Sequence, residues 1–228
     1  MSIKQRQNQQ RLRIRLLKRQ EMWTLTAQGW VIAIALMISV IFFNISHLYP
    51  FLAVTSPIKA DILVVEGWVT DYAIEQAFSE FKSGSYRQIF TTGGPVEKGF
   101  YLVEYNNFAA IAGATLKKLG MQPEKVTVVP ARDVIKDRTH ASAIALRQWL
   151  ANSKFPIKSM NLLTSDAHAR RSWLIYQQVL APKIKVGIIA AKPLNYNPNK
   201  WWTSSEGVRT VTSEIIAYFY ALFVNWGI

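Results

Sequence analysis

The chain has no cysteine. That absence excludes disulfides, thiolate nucleophiles, zinc ribbons and iron–sulfur ligation together, although an exported domain of this size can still fold on core burial alone. Charge is sparse as well, at 18% Asp, Glu, Lys and Arg, and there are only three histidines. No His-Glu-x-x-His, no Gly-x-Ser-x-Gly and no cluster of metal-ligating residue types occurs, so metalloprotease and serine-hydrolase chemistry lack their signatures, no metal ligands are assigned, and the sequence identifies no particular cofactor. No Gly-x-Gly-x-x-Gly follows the first strand pattern, which removes the dinucleotide fingerprint. Gly94 and Gly99 have P-loop spacing, but Phe100 stands where the phosphate-binding lysine belongs.

What is present is unevenly distributed. Of the net charge of +13, residues 1–28 supply seven Lys/Arg against Glu21 alone. This tail runs directly into residues 29–54, which are apolar and free of Lys, Arg, Asp and Glu. The 20 residues from Trp30 to Tyr49 would measure roughly 30 Å as a helix, the thickness of a bilayer hydrocarbon core, with an aromatic residue at each interface. The expected organisation is a basic cytoplasmic tail (1–28), a transmembrane helix (29–54), a short tether containing Pro57 (55–60) and one α/β domain (61–228). Only Lys59 is basic in the flank after the helix, so the positive-inside rule orients the tail inward and the domain outward from the plasma (inner) membrane. A cleaved signal peptide fits less well, because the tail is long and no small-x-small site follows the apolar core. His47 is expected at the interface. Beyond residue 28 the chain has 20 Lys/Arg against 13 Asp/Glu, a modest excess that does not suggest a nucleic-acid partner.

After Asp61, short β-branched runs alternate with helical patterns. Strands are expected at Ile62 to Val65, Gln88 to Thr92, Val126 to Val129, Met160 to Leu163 and Lys185 to Ile189. Helices are expected at 71–83, 101–119, 139–152, 167–180 and 204–223. Such alternation predicts a Rossmann-like three-layer sandwich with a mostly parallel five-stranded sheet, helices on both faces, and ligands bound beyond the carboxyl ends of the strands. The last helix is too short in apolar residues to span a bilayer, leaving packing on the sheet or an interfacial position.

The loops after the strands carry the candidate chemistry. Glu66 and Gly67 end the first strand; Glu66 reads as a general base or metal ligand, or as a solvated loop carboxylate. Thr92, Gly93 and Gly94 end the second, either as an anion-binding nest of backbone amides or as a plain turn. After the third strand, Asp137 or Thr139 can cap the next helix, while Arg138 adds a cation to an already positive helix end, unfavourable unless an anion sits there. After the fourth come Ser165 and Asp166, natural caps, then His168 and Arg171 one turn apart on one helix face. A helix start disfavours protonated imidazole, so neutral His168 beside Arg171 suits oxyanion binding and proton movement. Trp201 and Trp202 close the core, touch lipid or line a pocket, and Thr203 to Glu206 reads as a capping box.

A strand ending in a Gly turn, a second ending in Thr-Gly-Gly, a Thr-x-x-Ser-Ala helix start (Thr139 to Ala143) and Thr-Ser-x-x-His-x-x-Arg (Thr164 to Arg171) together resemble the SanA/ElyC/YdcF family of envelope-associated domains. The resemblance covers about Asp61 to Phe223 and falls on Gly67, Gly93, Gly94, Thr139, His168 and Arg171. It implies a Rossmann-like fold and a role in cell-envelope biogenesis, in peptidoglycan-precursor or polyprenyl-phosphate metabolism, with no settled reaction. Many members carry a second glycine after the first strand and an arginine opening the first helix. Glu66, Trp68, Asp71 and Glu75 occupy that region here.

The resulting expectation is a membrane-anchored domain that binds, and as a hydrolase or transferase acts on, an anionic phosphorylated or lipid-linked precursor. His168 and Glu66 would be catalytic; Gly67, Thr92, Gly93, Gly94, Arg138, Thr139, Ser165, Asp166 and Arg171 would bind substrate. The alternatives are a non-catalytic factor that recruits an envelope assembly enzyme, and a nucleotide- or S-adenosylmethionine-binding module suggested by fold analogy alone.

Overall fold

A computed structural model describes residues 23–96, 104–153 and 155–224. The basic tail to residue 22, the Gly99–Phe100 pair and the first three residues of the expected 101–119 helix lie outside the described residues. The chain divides into two units, residues 1–42 and 43–228. The described part of the first is the opening of helix α1 (Ala27–Leu52), which is long and apolar enough to cross a membrane and exposes its large side chains.

The second unit is an α/β sandwich around one all-parallel sheet. Strands β1 (Ile62–Glu66), β2 (Gln88–Gly93), β3 (Val126–Pro130), β4 (Ser159–Ser165) and β5 (Lys185–Ala191) lie in the order β3-β2-β1-β4-β5. Helices α2 (Asp71–Ser83) and α3 (Phe108–Lys118) cover one face; α4 (Arg138–Asn152), α5 (Ala169–Leu180) and the end of α6 (Ser205–Phe223) cover the other.

Strand periodicity assigns the side chains to the two layers. Ile62 and Val64 face α4 and α5 with Phe90, Met160 and Leu162. Leu63, Val65, Ile89 and Leu163 face α2 and α3. All of these are buried on a strand covered from both sides, which explains the continuous apolar runs. Each such side chain contributes about 1.5–3 kcal/mol relative to exposure. Parity also sends Glu66 toward the α4/α5 layer, and it places Thr92 there too.

The expected helices form with one shift: α3 begins at Phe108 because Asn107 caps it, its side chain accepting from Ala110 N at 2.8 Å. Before that the chain runs back along the end of β2, with Val96 N donating to Asn106 O. At the start of α6, Ser204 accepts from Gly207 N, and Glu206 pairs with Arg209.

Residues 55–60 are tied to the sheet. Ser56 pairs antiparallel with Ile188, Thr55 Oγ1 accepts from Ala190 N, and the Asn161 amide bonds Ile58 through both N and O at 2.9 Å. Asp61 Oδ2 then accepts from the Lys158 and Ser159 amides, and these bonds hold its carboxyl below the usual range.

Where β1 and β2 end, α3 approaches very closely. A Cβ on Gly67 would lie 2.4 Å from Phe108 O and 2.9 Å from Thr92 O, and one on Gly93 would lie 2.8 Å from Phe108 Cβ. Backbone atoms cannot yield as a side-chain tip can, so Gly67→Ala is expected to destabilise the domain by about 1–3 kcal/mol. Urea unfolding in detergent, followed by circular dichroism, checks it; an unchanged midpoint would show that α3 does not need this approach.

Candidate functional site

The strand order reverses direction between β1 and β4, and the side chains at the carboxyl ends of those two strands converge there. Glu66, the last residue of β1, is 1% exposed. Its Oε2 accepts from Thr164 Oγ1 near the end of β4 and from Ser172 Oγ on α5 at 2.9 Å. Its Oε1 is buried with no hydrogen-bond partner among the described residues. His168 closes the 3₁₀ turn Asp166–His168 between β4 and α5, with Nε2 at 3.5 Å from both Glu66 Oε2 and Thr139 Oγ1. Trp68 packs edge-on against its ring, with centroids 4.7 Å apart.

The other imidazole nitrogen meets an ion pair. His168 Nδ1 lies 2.9 Å from Glu214 Oε1 and 2.8 Å from Arg171 Nη2, while Arg171 Nε and Nη2 bind the two Glu214 oxygens at 2.9 and 3.0 Å. With its proton on Nδ1 the ring donates to Glu214; with its proton on Nε2 it accepts from Arg171 instead. Both tautomers therefore have a partner at Nδ1, and Nε2 is the loosely held nitrogen. Burial works to raise the Glu214 carboxyl, but the charge and hydrogen bond of His168, joined by Arg171, outweigh it and bring Glu214 down to about 2.

His168 and Arg171 line a cavity of about 520 Å³ between the start of α4 and the flank of α6. Lys136, Arg138 and Thr139 line it at the α4 end, with the amides of a helix N-terminus; Ala217, Tyr220 and Ala221 form an apolar wall from α6. The residues that launch the two site segments, Asp137 and Asp166, both adopt positive φ, 61° and 42°. Aspartate tolerates this region better than most residues, and such conformations concentrate where a fold holds functional groups in place. Burial pushes the Asp166 carboxyl up, against hydrogen bonds from Tyr196 and Tyr49.

Of the residues singled out by sequence, Arg138, Thr139, His168 and Arg171 line this cavity, and Glu66 lies buried behind His168, outside the lining. Thr92 does not reach it: fully buried, its hydroxyl meets Tyr176 Oη at 3.0 Å beneath α5. Gly67 and Gly93 sit in the α3 approach. Gly94 lines a separate cavity of about 310 Å³ with Arg132 and shares Arg138 with the first. Ser165 is half-buried with no capping bond, and Asp166 turns away to accept from Tyr196. Among the described residues no group of three His, Asp or Glu side chains could hold a metal ion. Sequence reasoning missed Glu214, Ser172 and Trp68. For Glu214 a signal existed, since it is the only carboxylate after Glu206 and opens a largely apolar run.

No family model and no curated protein matches this chain.

Because Glu214 titrates at about 2 in the fold against an ordinary 4.5, its contribution is complete above about pH 4.5 and is lost as pH falls toward 2, on the order of 3 kcal/mol in all. Chemical unfolding at stepped pH should show wild type losing that much more stability than Glu214→Gln across this window. Parallel pH curves would mean that the ion pair with His168 and Arg171 does not form.

Proposed function

We propose that this protein is a plasma-membrane-anchored envelope domain, its tail cytoplasmic and its α/β unit extracytoplasmic. In this reading it binds an anionic precursor, phosphorylated or lipid-linked, at the β1/β4 switch point and hydrolyses or transfers it. The observation that carries the reading is the His168–Glu214–Arg171 cluster, backed by buried Glu66, which lines a cavity whose rim is a helix N-terminus with Lys136 and Arg138. Anions suit that rim, because unpaired amides and the helix dipole favour negative charge. Glu214 orients His168 through Nδ1, and Nε2 then exchanges a proton with the reacting hydroxyl, water or leaving oxygen. Arg171, fixed in place by Glu214, lends positive charge to the developing oxyanion. The apolar α6 wall accommodates the non-polar part of an amphiphilic substrate.

The test uses the full chain in detergent, with inorganic phosphate, pyrophosphate, nucleotides and prenyl pyrophosphates as probes read by thermal stabilisation. At least one phosphorylated probe should raise the melting temperature, with the shift lost in Arg171→Ala. Any turnover should fall by 10²-fold or more in His168→Ala, the usual range for a general acid or base. If no phosphorylated probe stabilises the protein, or if both variants respond as wild type does, the site assignment fails.

A further inference from the structure

Helix α6 presents a second, outward stripe that the domain leaves uncovered. Ile216, Phe219, Tyr220 and Phe223 follow the i, i+3, i+4, i+7 spacing of one helix face and are 71%, 52%, 50% and 85% exposed. Isolated exposed apolar residues are ordinary, but a continuous stripe of four large ones marks a surface with a partner. The inward face of the same helix is fully used: Val211 with Ile215 and Tyr218 packs against Ile45, Leu48 and Leu52 of α1.

That packing indicates what covers the stripe. Trp201 Nε1 donates to Ile45 O, the Phe51 and Tyr218 rings meet edge-on at 5.5 Å, and Arg170 donates to Phe51 O while stacking on its ring at 4.0 Å. α6 thus contacts α1 from Ile45 to the helix end, over residues that belong to the apolar span itself. Packed helices stand about 8–10 Å apart. The segment after Leu52 is hydrogen bonded to β5 from Thr55 onward, so the end of α1 and α6 belong to one folded unit.

We infer that the outward stripe of α6 lies in the lipid headgroup and upper acyl region, as a second, non-spanning membrane contact beside the anchor. Exposed Arg209, which pairs with Glu206, lies two turns before Ile216 on the same helix face and suits anionic headgroups. Tyr220 belongs to both the stripe and the cavity lining, so this placement opens the cavity at the membrane surface. The inference rests on α1 being a membrane anchor.

The absence of cysteine makes the test direct. Full chains carrying Ile38→Cys, Phe219→Cys, Phe223→Cys or Lys118→Cys are each labelled with a nitroxide and placed in bilayer discs containing anionic lipid. Collisional relaxation by oxygen, which partitions into lipid, is compared with that by a water-soluble nickel chelate. Labels at 38, 219 and 223 should favour oxygen several-fold, with 219 and 223 shallower than 38, and the label at 118 on α3 should favour nickel. If 219 and 223 behave like 118 while 38 remains in lipid, the α6 contact is overturned and the anchor stands. If 38 also favours nickel, the anchor reading itself falls. Spin–spin broadening at 219 or 223 with shielding from both reagents would put a second copy on the stripe, and that too overturns the inference.

Discussion

A carboxylate buried at the tip of the central strand is the constraint from which the site follows. Removing Glu66 from water is costly unless its oxygens are compensated, and an apolar side chain would fit a covered strand at far lower cost. The fold supplies two hydroxyls, Thr164 from β4 and Ser172 from α5, to one oxygen and brings His168 within 3.5 Å. The other oxygen receives no such partner among the described residues. Stability alone does not account for a half-compensated buried carboxylate beside an imidazole. In the function proposed above, that oxygen is the acceptor left for a polar group of the ligand.

The same logic extends outward one layer. Glu214 and Arg171 form the pair that locates the Nδ1 side of the imidazole, so the ring is held by one firm contact and left loose at the other nitrogen. An ordinary surface ion pair would be worth little, but this one is mostly buried and shares its atoms with His168. The arrangement resembles carboxylate–histidine pairs in general acid–base sites only in its geometry. What separates it from a structural network is the cavity that it faces.

Much of the scaffold was legible because parallel strands covered on both faces leave a strong record. The five strand segments, the alternation with helices and the apolar helix all follow from runs and periods readable in one dimension. His168 and Arg171 were legible for the same reason, lying one helical turn apart just after a strand. The converging partners were not. Glu214 is 43 residues from Arg171, on a helix whose composition reads as packing, and only the fold joins them. Thr92 shows the opposite failure: as the last residue of a strand it reads as facing the ligand, yet strand parity turns it under α5 toward Tyr176. Gly67 and Gly93 were noticed as ligand-approach glycines, and what approaches them is α3.

The site and the end of α1 share a turn of chain, and this gives the architecture a mechanical consequence. Asp166 accepts from Tyr196, Tyr49 of α1 lies against the same carboxylate, and Ala167 is buried with Leu52, Trp201 and Val211. The next residue is His168. Its backbone position is therefore set on one side by the sheet and on the other by the last turns of the apolar helix. α6 repeats the pattern within a single element, since Glu214 orients the imidazole while Val211, Ile215 and Tyr218 grip α1. A domain that needed its apolar helix only as a leash would have no reason to build that helix into the footing of its histidine. Here the chain that carries the imidazole packs against the end of α1 at Ala167, while Glu214, Arg171 and Trp68 place the ring itself.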